Sequence, residues 1–389
     1  MKIGLVLPAT PGYSETFFTN KIKGLQQHGH TVVLFVNSNT GNSALEASII
    51  VAPKLSGNSI AVAWLSFWRL FVCFVFHFKA TKRLFQLDSK DGIGISKKIK
   101  NIIISSPILA EKLDWLHFGF GTMVIGRENV AQALGAKMAV SFRGFDHYVY
   151  PMKHKNCYAS LFSKKVTYHV LSQGMKTDLI AQGIFEKEII KITPAIDYEL
   201  FSNAIENSFD NRLNIITISR LHWIKGLEYT LEALAKVKQN GISFHYTIIG
   251  EGKEKERLQF AVHQLGLLNE VTFTGKLSPE EVKTTLGKGN LYIQYSLQEG
   301  FCNAVLEAQA MGKICIASDA DGLQENIIDG VTGFVVSKRN PLSLANKIIE
   351  VNSLNRNEKI ALSNAAAKRV RAQFTLEKQM EQFIAFYDS

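Results

Sequence analysis

The sequence predicts an α/β protein of two Rossmann-like domains facing a central cleft, and three observations carry that expectation. Apolar, strand-length runs alternate with helical patterns in two successive series. A polar stretch at 203–212 separates the two series. The length, 389 residues, is more than one ordinary domain core fills. Residues 1–198 and 199–370 are the expected domains.

The first series opens with an apolar run at 3–7, the loop Pro8-Ala9-Thr10-Pro11-Gly12, a helical pattern at 15–28 and a second apolar run at 31–36. Strand, loop, helix and strand in that order make a βαβ unit, which requires parallel strands. Residues 113–117 and 137–142 read as later strands of the same sheet, and 166–172 and 189–194 as its last pieces. The second series has strands at 213–219, 244–250 and 271–275, with helices at 226–240 and 253–265. Runs at 291–294, 314–318 and 333–336 continue it, and 376–387 has the pattern of an amphipathic helix. Open parallel sheets bind ligands at the carboxyl ends of their strands, so the loops after strands are the places to look.

The apolar segment 60–78 stands apart. It approaches the length of a membrane span, but Arg69 sits at its centre, at a cost of about 2.5–3.5 kcal/mol in a bilayer. On a helix, Ser66, Arg69, Cys73 and His77 line one narrow face, while Trp64, Phe67, Trp68, Phe71, Phe74 and Phe78 cover the rest. Lys79, Lys82 and Arg83 follow at once. The pattern fits an interfacial helix that meets an anionic membrane surface through 60–83. A core helix whose polar stripe faces solvent, or a true span, would use the same residues.

Hydrophobic residues make up 46% and charged residues 20% of the chain, which allows sizeable cores and excludes a disordered polymer. The net charge of +10 is confined to one half. Residues 1–195 hold 23 Lys and Arg against 11 Asp and Glu, while residues 196–389 hold 21 against 23. Such a basic half suits nucleic acid, an anionic membrane or a phosphorylated substrate. With no zinc-finger spacing and no RNA-recognition signature, no nucleic-acid partner is expected. The cysteines Cys73, Cys157, Cys302 and Cys315 are far apart and form no C-x-x-C, as expected of reduced thiols in a cytoplasmic protein. The opening run reads as a buried strand, not as a signal peptide.

Two clusters carry chemistry. The first, E-G-F-C-N-A-V-L-E-A at 299–308, follows an apolar strand and opens a helix. The backbone N–H groups of Phe301, Cys302, Asn303 and Ala304 would form an anion site at the helix start. Glu299 and Glu307 flank it and could accept hydrogen bonds from sugar and ribose hydroxyls. The second, S-R-L-H-W-I-K-G at 219–226, also links a strand to a helix. Its Arg220 and Lys225 could stabilise the charge of a departing diphosphate. Surface ion pairs would use the same residue types.

Together S-R-L-x-x-x-K-G, I-G-E-G at 249–252, V-x-F-x-G at 271–275 and the E-x7-E block resemble family 4 glycosyltransferases of the GT-B fold. Gly322 and Glu325, D-G-V-T-G-F at 329–334, E-T-F at 15–17, H-F-G at 117–119 and G-F-D at 144–146 extend the resemblance over almost the whole chain. It is most specific at 217–335, and the first half is similar to bacterial exopolysaccharide and colanic-acid-type members. The resemblance implies a nucleotide sugar as donor, expected to be a uridine diphosphate sugar, and a saccharide acceptor. The basic first half, Arg143 and the aromatic helix at 60–78 suit a lipid-linked acceptor at the inner membrane face.

By that resemblance Arg220 and Lys225 bind the diphosphate, Glu307 the ribose, and Glu299 the donor sugar. Ser219, Gly250, Phe273 and Gly275 lie on the donor side, as does Gly12 from the first loop, and His117 contacts the sugar near the reacting carbon. Glu15 and Asp146 fall on the acceptor side, and Arg143, which departs from the family pattern, is placed there too, where it could grip an anionic acceptor or donor group or pair with Asp146. Retention of anomeric configuration, no cofactor and no metal are implied, as is a helix at 371–389 that crosses back onto the first domain.

Two positions depart from the pattern. Gly12 stands alone where many relatives carry a glycine pair, and Arg143-Gly144 replaces His-Gly. Asp319-Ala320-Asp321 spells the D-x-D metal motif of another glycosyltransferase fold, but it lies in the loop before Glu325 and reads as loop structure. A glycoside-hydrolase use of Glu299 and Glu307 fits less well than the ribose contact. A nucleotide-sugar epimerase or hydrolase of the same fold, or a non-catalytic sugar-nucleotide binder, remains as an alternative.

Overall fold

The computed structural model describes residues 1–12, 16–39, 47–55, 59–202 and 212–388. Glu15 and most of the polar stretch at 203–212 lie outside them. The chain divides into two units, 1–192 with 380 onward, and 193–379.

In the first unit the strands are β1 (Lys2–Ala9), β2 (Thr31–Ser38), β3 (Ser48–Val51), β4 (Trp115–Phe118), β5 (Lys137–Ser141), β6 (Thr167–Val170) and β7 (Ile189–Lys191). They pair in the order β3-β2-β1-β4-β5-β6-β7, all parallel. The order reverses between β1 and β4. Fully buried Ile3, Leu5, Leu34 and Trp115 form the sheet's core with Phe18 and Ile22 from helix α1 (Thr16–Gln27). Met380, Phe383, Phe386 and Tyr387, from the helix Leu376–Asp388, complete the same core. Gly24 lets that helix approach, since a Cβ there would stand 2.1 Å from the Met380 methyl.

Helix α2 (Ser59–Phe76) ends at a bend of 109° and gives way to α3 (Phe78–Lys90) and α4 (Ile95–Leu109). Alternatives for α2 turned on which side faces out, and the structure reverses the solvent-facing polar stripe. Cys73 is buried and its carbonyl accepts from the Thr81 hydroxyl at 3.0 Å, while the aromatic side is exposed. Trp64 is 69% exposed, Phe67 61%, Trp68 52% and Phe76 71%. Trp64 stacks on Phe67 and Trp68 on Phe71, with ring centroids 6.2 and 5.6 Å apart. No single helix among the described residues is long and apolar enough to cross a membrane.

The second unit has β8 (Leu213–Ile218), β9 (Phe244–Ile249), β10 (Val271–Gly275), β11 (Leu291–Gln294), β12 (Ile314–Ser318) and β13 (Phe334–Val336). Their order is β10-β9-β8-β11-β12-β13, again all parallel. Here the reversal falls between β8 and β11. Residues 193–198 and 371–379 join this unit through the Ile196–Thr375 bridge and the Gln379 side chain, which donates to the Thr193 carbonyl at 2.6 Å.

Candidate functional site

At a reversal point the two flanking helices leave on opposite faces of the sheet, so the loops after the two central strands bound an open crevice. In the second unit those loops are 219–226, after β8, and 295–302, after β11. They contain both clusters singled out in the sequence. Three glycines allow their close packing. Gly226 has φ +62° and Gly250 φ +138°. A Cβ at Gly226 would lie 2.1 Å from the Tyr295 carbonyl oxygen, and one at Gly250 2.0 Å from that of Ser219. At Gly252 it would meet the Leu221 carbonyl oxygen at 2.1 Å. The Leu297 N–H donates to the Ile224 carbonyl at 2.7 Å and joins the two loops directly.

Lys225 closes a short 3-10 turn, Trp223–Lys225, and pairs with Glu299 across the crevice. Burial alone would lower its pKa, but the Glu299 carboxylate beside it holds the ammonium above its ordinary value. Ser296 donates to the same carboxylate at 3.1 Å, and the Gly322 N–H holds the Glu299 carbonyl at 3.1 Å. Glu299 thus has fixed partners. Arg220 is exposed and makes no side-chain hydrogen bond or ion pair among the described residues. The buried Ser219 hydroxyl has no partner there either.

Glu307 lies just over one turn into the helix Asn303–Ala310. It is half-buried, its carboxylate has no hydrogen-bond partner among the described residues, and desolvation pushes its pKa up to about 7. A desolvated carboxyl group without a partner is costly, and such groups concentrate at binding sites. Asn303 and Ala304, the first residues of that helix, have N–H groups with no intrahelical acceptor.

Several expected site residues have other roles in the structure. The Cys302 N–H does not join the anion site, because it donates to Asn326 Oδ1 at 3.1 Å, and Asn326 Nδ2 returns a bond to the Cys302 carbonyl at 2.9 Å. Its thiol is pushed up to about 12, first by burial and then by Glu299, which keeps it protonated. The Phe301 ring packs on Phe374 at 5.7 Å, and Phe273 packs against the unit's apolar core. Gly250 and Gly275 are joined by a 2.9 Å backbone hydrogen bond. Asp319 accepts from the Lys338 N–H, just after β13, at 2.9 Å and Asp321 from Gln298, in the loop after β11, at 3.0 Å, so each carboxylate ties its loop to a neighbouring one. Ser296, Asn326 and Arg369 were not singled out in the sequence. Arg369 donates to the carbonyls of Asn326 and Glu325 at 2.6 and 2.8 Å. Only the alternation in L-Y-I-Q-Y-S at 291–296 could have flagged Ser296, and nothing local marks Asn326 or Arg369.

The first unit keeps its own cluster by the β1/β4 reversal. The Arg143 guanidinium lies over the rings of Phe17, Phe18 and Phe120, at 3.9, 4.7 and 5.5 Å from their centroids. Its Nε donates to the Gly119 carbonyl at 3.3 Å. Asp146 accepts from the Gly121 N–H at 3.1 Å, and burial pushes its carboxyl up to about 6. Gly12, in the loop after β1, has open space around its Cβ position.

His117, expected beside the donor sugar, has a ring that is fully buried in the first unit and surrounded by partners. Nε2 meets the Ser141 hydroxyl at 2.8 Å, and Nδ1 meets the Tyr387 hydroxyl at 2.6 Å and Lys21 Nζ at 3.3 Å. Ser141 continues to His169 Nδ1 at 2.7 Å, whose Nε2 reaches the Ile192 carbonyl at 3.0 Å. One proton arrangement satisfies every bond. His169 Nε2 donates to the carbonyl, Ser141 donates to His169, and His117 Nε2 donates to Ser141. Nδ1 of His117 then accepts from Tyr387 and Lys21. Burial, followed by the Lys21 charge, keeps His117 well below its ordinary pKa and therefore neutral. Its strand places the ring inside the unit, where both nitrogens serve packing.

A parallel-sheet unit with two cations, helix-start N–H groups and an unpartnered carboxylate at its reversal point has groups able to hold a phosphorylated, hydroxyl-bearing ligand. Residues 201–369 match the family described as Glycosyl transferases group 1, and the chain carries that domain. The amylovoran biosynthesis glycosyltransferase AmsK of Erwinia amylovora is 27% identical over 67% of this chain and 65% of its own length. WcaL of Salmonella typhimurium, named as a colanic acid biosynthesis glycosyltransferase, is 23% identical over 96% of both chains. The structure of Anabaena HepE in complex with UDP superposes with a TM-score of 0.73 at 16% identity, covering 100% of this chain and 99% of that one. The fold is that of the GT-B glycosyltransferases.

Proposed function

We propose that the protein is a retaining, metal-independent glycosyltransferase of the family 4 type. It moves a sugar from a uridine diphosphate donor to a lipid-linked saccharide at the cytoplasmic face of the membrane, in the assembly of a cell-surface polysaccharide. The observation that carries this reading is Glu307, a desolvated carboxylate without a partner beside Asn303 and Ala304 at the helix start. A ribose diol donates two hydrogen bonds and suits that acceptor, while a diphosphate suits the N–H groups, Arg220 and Lys225. Glu299 would accept from hydroxyls of the donor sugar. The names of AmsK and WcaL support a polysaccharide product, and the HepE complex supports uridine diphosphate.

In the reaction the bond from the anomeric carbon to the phosphate oxygen breaks while a bond to the acceptor oxygen forms on the same face. The acceptor's hydroxyl proton passes to the departing phosphate oxygen. Arg220 and Lys225 stabilise the charge that develops on the diphosphate, so catalysis rests on positioning and electrostatics. Metal independence draws support from Asp319 and Asp321, whose carboxylates accept from the Lys338 N–H and the Gln298 side chain. A lipid-borne acceptor draws support from the exposed aromatic face of α2 and the exposed Lys79, Lys82 and Arg83 that follow it. An aromatic, apolar face bordered by cations suits an anionic bilayer surface better than an apolar protein partner.

The test is a thermal-shift panel of uridine, guanosine and adenosine diphosphate sugars, with Glu307→Ala alongside. A stabilisation selective for one uridine donor and weakened in the variant is expected. A folded protein that responds to none of them would overturn the reading.

A further inference from the structure

Strand β11 and the two residues after it alternate in an unusual way. Leu291, Ile293 and Tyr295 enter the apolar core, whereas Tyr292, Gln294 and Ser296 point to the opposite face, as strand geometry requires. All three are polar and essentially without exposure, at 0%, 1% and 0%. Buried polar groups in a central strand are costly unless bonded. Here they are bonded to one another in a single line. The Ile218 N–H, at the end of β8, donates to the Tyr292 hydroxyl at 3.4 Å. Tyr292 donates to Gln294 Oε1 at 2.8 Å, and Gln294 Nε2 donates to Ser296 Oγ at 3.0 Å. Ser296 donates to Glu299 Oε2 at 3.1 Å, the oxygen that also pairs with Lys225.

The Tyr292 hydroxyl also lies 3.5 Å from the Ile218 carbonyl, but its shorter bond, at 2.8 Å, is the one to Gln294. Each member thus gives its donor to the next, and the line ends on a group that only accepts. Gln294 fixes the direction, because its oxygen can only receive from Tyr292 and its nitrogen can only give to Ser296. Hydrogen bonds in series polarise one another. The line also ties the end of β8, the strand that leads to Ser219 and Arg220, to the carboxylate in the loop after β11. The geometry points to Tyr292, Gln294 and Ser296 as positioning residues: a buried hydrogen-bond relay that holds the Glu299 carboxylate in place for the sugar of the donor. The inference rests on the reading of Glu299 as a sugar-binding group, and the relay itself touches no substrate.

The test compares, for the full chain, the affinities for UDP-glucose and UDP, GDP-mannose and GDP, and ADP-glucose and ADP, using the pair that the wild type binds most tightly. The informative quantity is the ratio of the two affinities within that pair, since any change in the diphosphate contact of Lys225, which pairs with Glu299, enters both affinities alike and cancels. Gln294→Leu and Tyr292→Phe should each lower the preference for the sugar-bearing ligand at least about fivefold, a loss larger than any change in the affinity for the bare nucleotide. Ser296→Thr, which retains the hydroxyl, should restore most of the preference that Ser296→Ala loses. If Glu299→Ala abolishes the preference and the Gln294 and Tyr292 variants keep it, the relay is wrong and the sugar site stands. Equal losses for both ligands would mean the loop had merely collapsed, and would also overturn the relay. If Glu299→Ala leaves the preference intact, the sugar-binding reading itself fails and the relay falls with it.

Discussion

At the scale of single residues, the difference between Glu299 and Glu307 is one of partners. Their spacing was visible in the sequence, but their environments were not. Glu299 is held by Lys225 and Ser296, whereas Glu307 has only its burial. Its pKa rises from 4.5 to about 7 through desolvation, so between those values the folded protein holds a proton that the unfolded chain has released. Stability from this group is therefore greatest in acid and is lost as pH rises through about 7. Glu307→Gln should remove that loss, and the stability difference between variant and wild type in urea unfolding should grow from pH 5 to pH 8. A difference independent of pH would show that the carboxyl is not desolvated. The environment of His117 was not legible for the corresponding reason. A histidine at the end of a strand looks the same in sequence whether its ring points into a ligand crevice or into the core, and the partners that decide it come from 24 and 270 residues away.

At the scale of elements, periodicity revealed most strands and the main βαβ units, because two-sided burial produces continuous apolar runs. It revealed less about α2. The polar stripe Ser66, Arg69, Cys73 and His77 was legible, but its direction depended on α3 and α4, whose contacts no local pattern encodes. The closing helix Leu376–Asp388 was legible as amphipathic, and its tie to the first unit is specific. The Trp115 indole donates to the Tyr387 carbonyl at 2.9 Å, and the Tyr387 hydroxyl meets His117. Tyr387→Phe leaves the His117 nitrogen with Lys21 alone and should destabilise the protein by about 1 kcal/mol. Chemical denaturation would measure it, and nucleotide affinity should stay at the wild-type value. Unchanged stability would mean that Lys21 alone satisfies the imidazole.

At the scale of the whole molecule, the positive charge of residues 1–195 and the aromatic face of α2 belong to the same unit. Attraction between exposed cations and anionic lipid weakens as salt shortens the Debye length, whereas apolar insertion does not. The full chain should therefore co-sediment with phosphatidylglycerol-containing vesicles, more strongly at 50 than at 500 mM salt. The double change Trp68→Ser, Phe71→Ser should leave a weaker association that salt removes entirely. Retention of wild-type binding by that variant would discard α2 as the contact. The two-domain plan was legible because each sheet repeats the same alternation. The placement of 371–379 with the second unit was not, since it depends on the single Ile196–Thr375 bridge and its neighbours. The interleaved course of the chain also bears on its synthesis. Residues 1–192 emerge from the ribosome before the second unit, yet their core still lacks Met380, Phe383, Phe386 and Tyr387. Until residue 388 has been translated, the nascent first unit presents an open apolar groove along α1 while an entire second unit folds behind it. That is an interval in which chaperone capture or aggregation competes with closure, so synonymous codons that slow translation across the second unit should reduce soluble yield without changing a single residue.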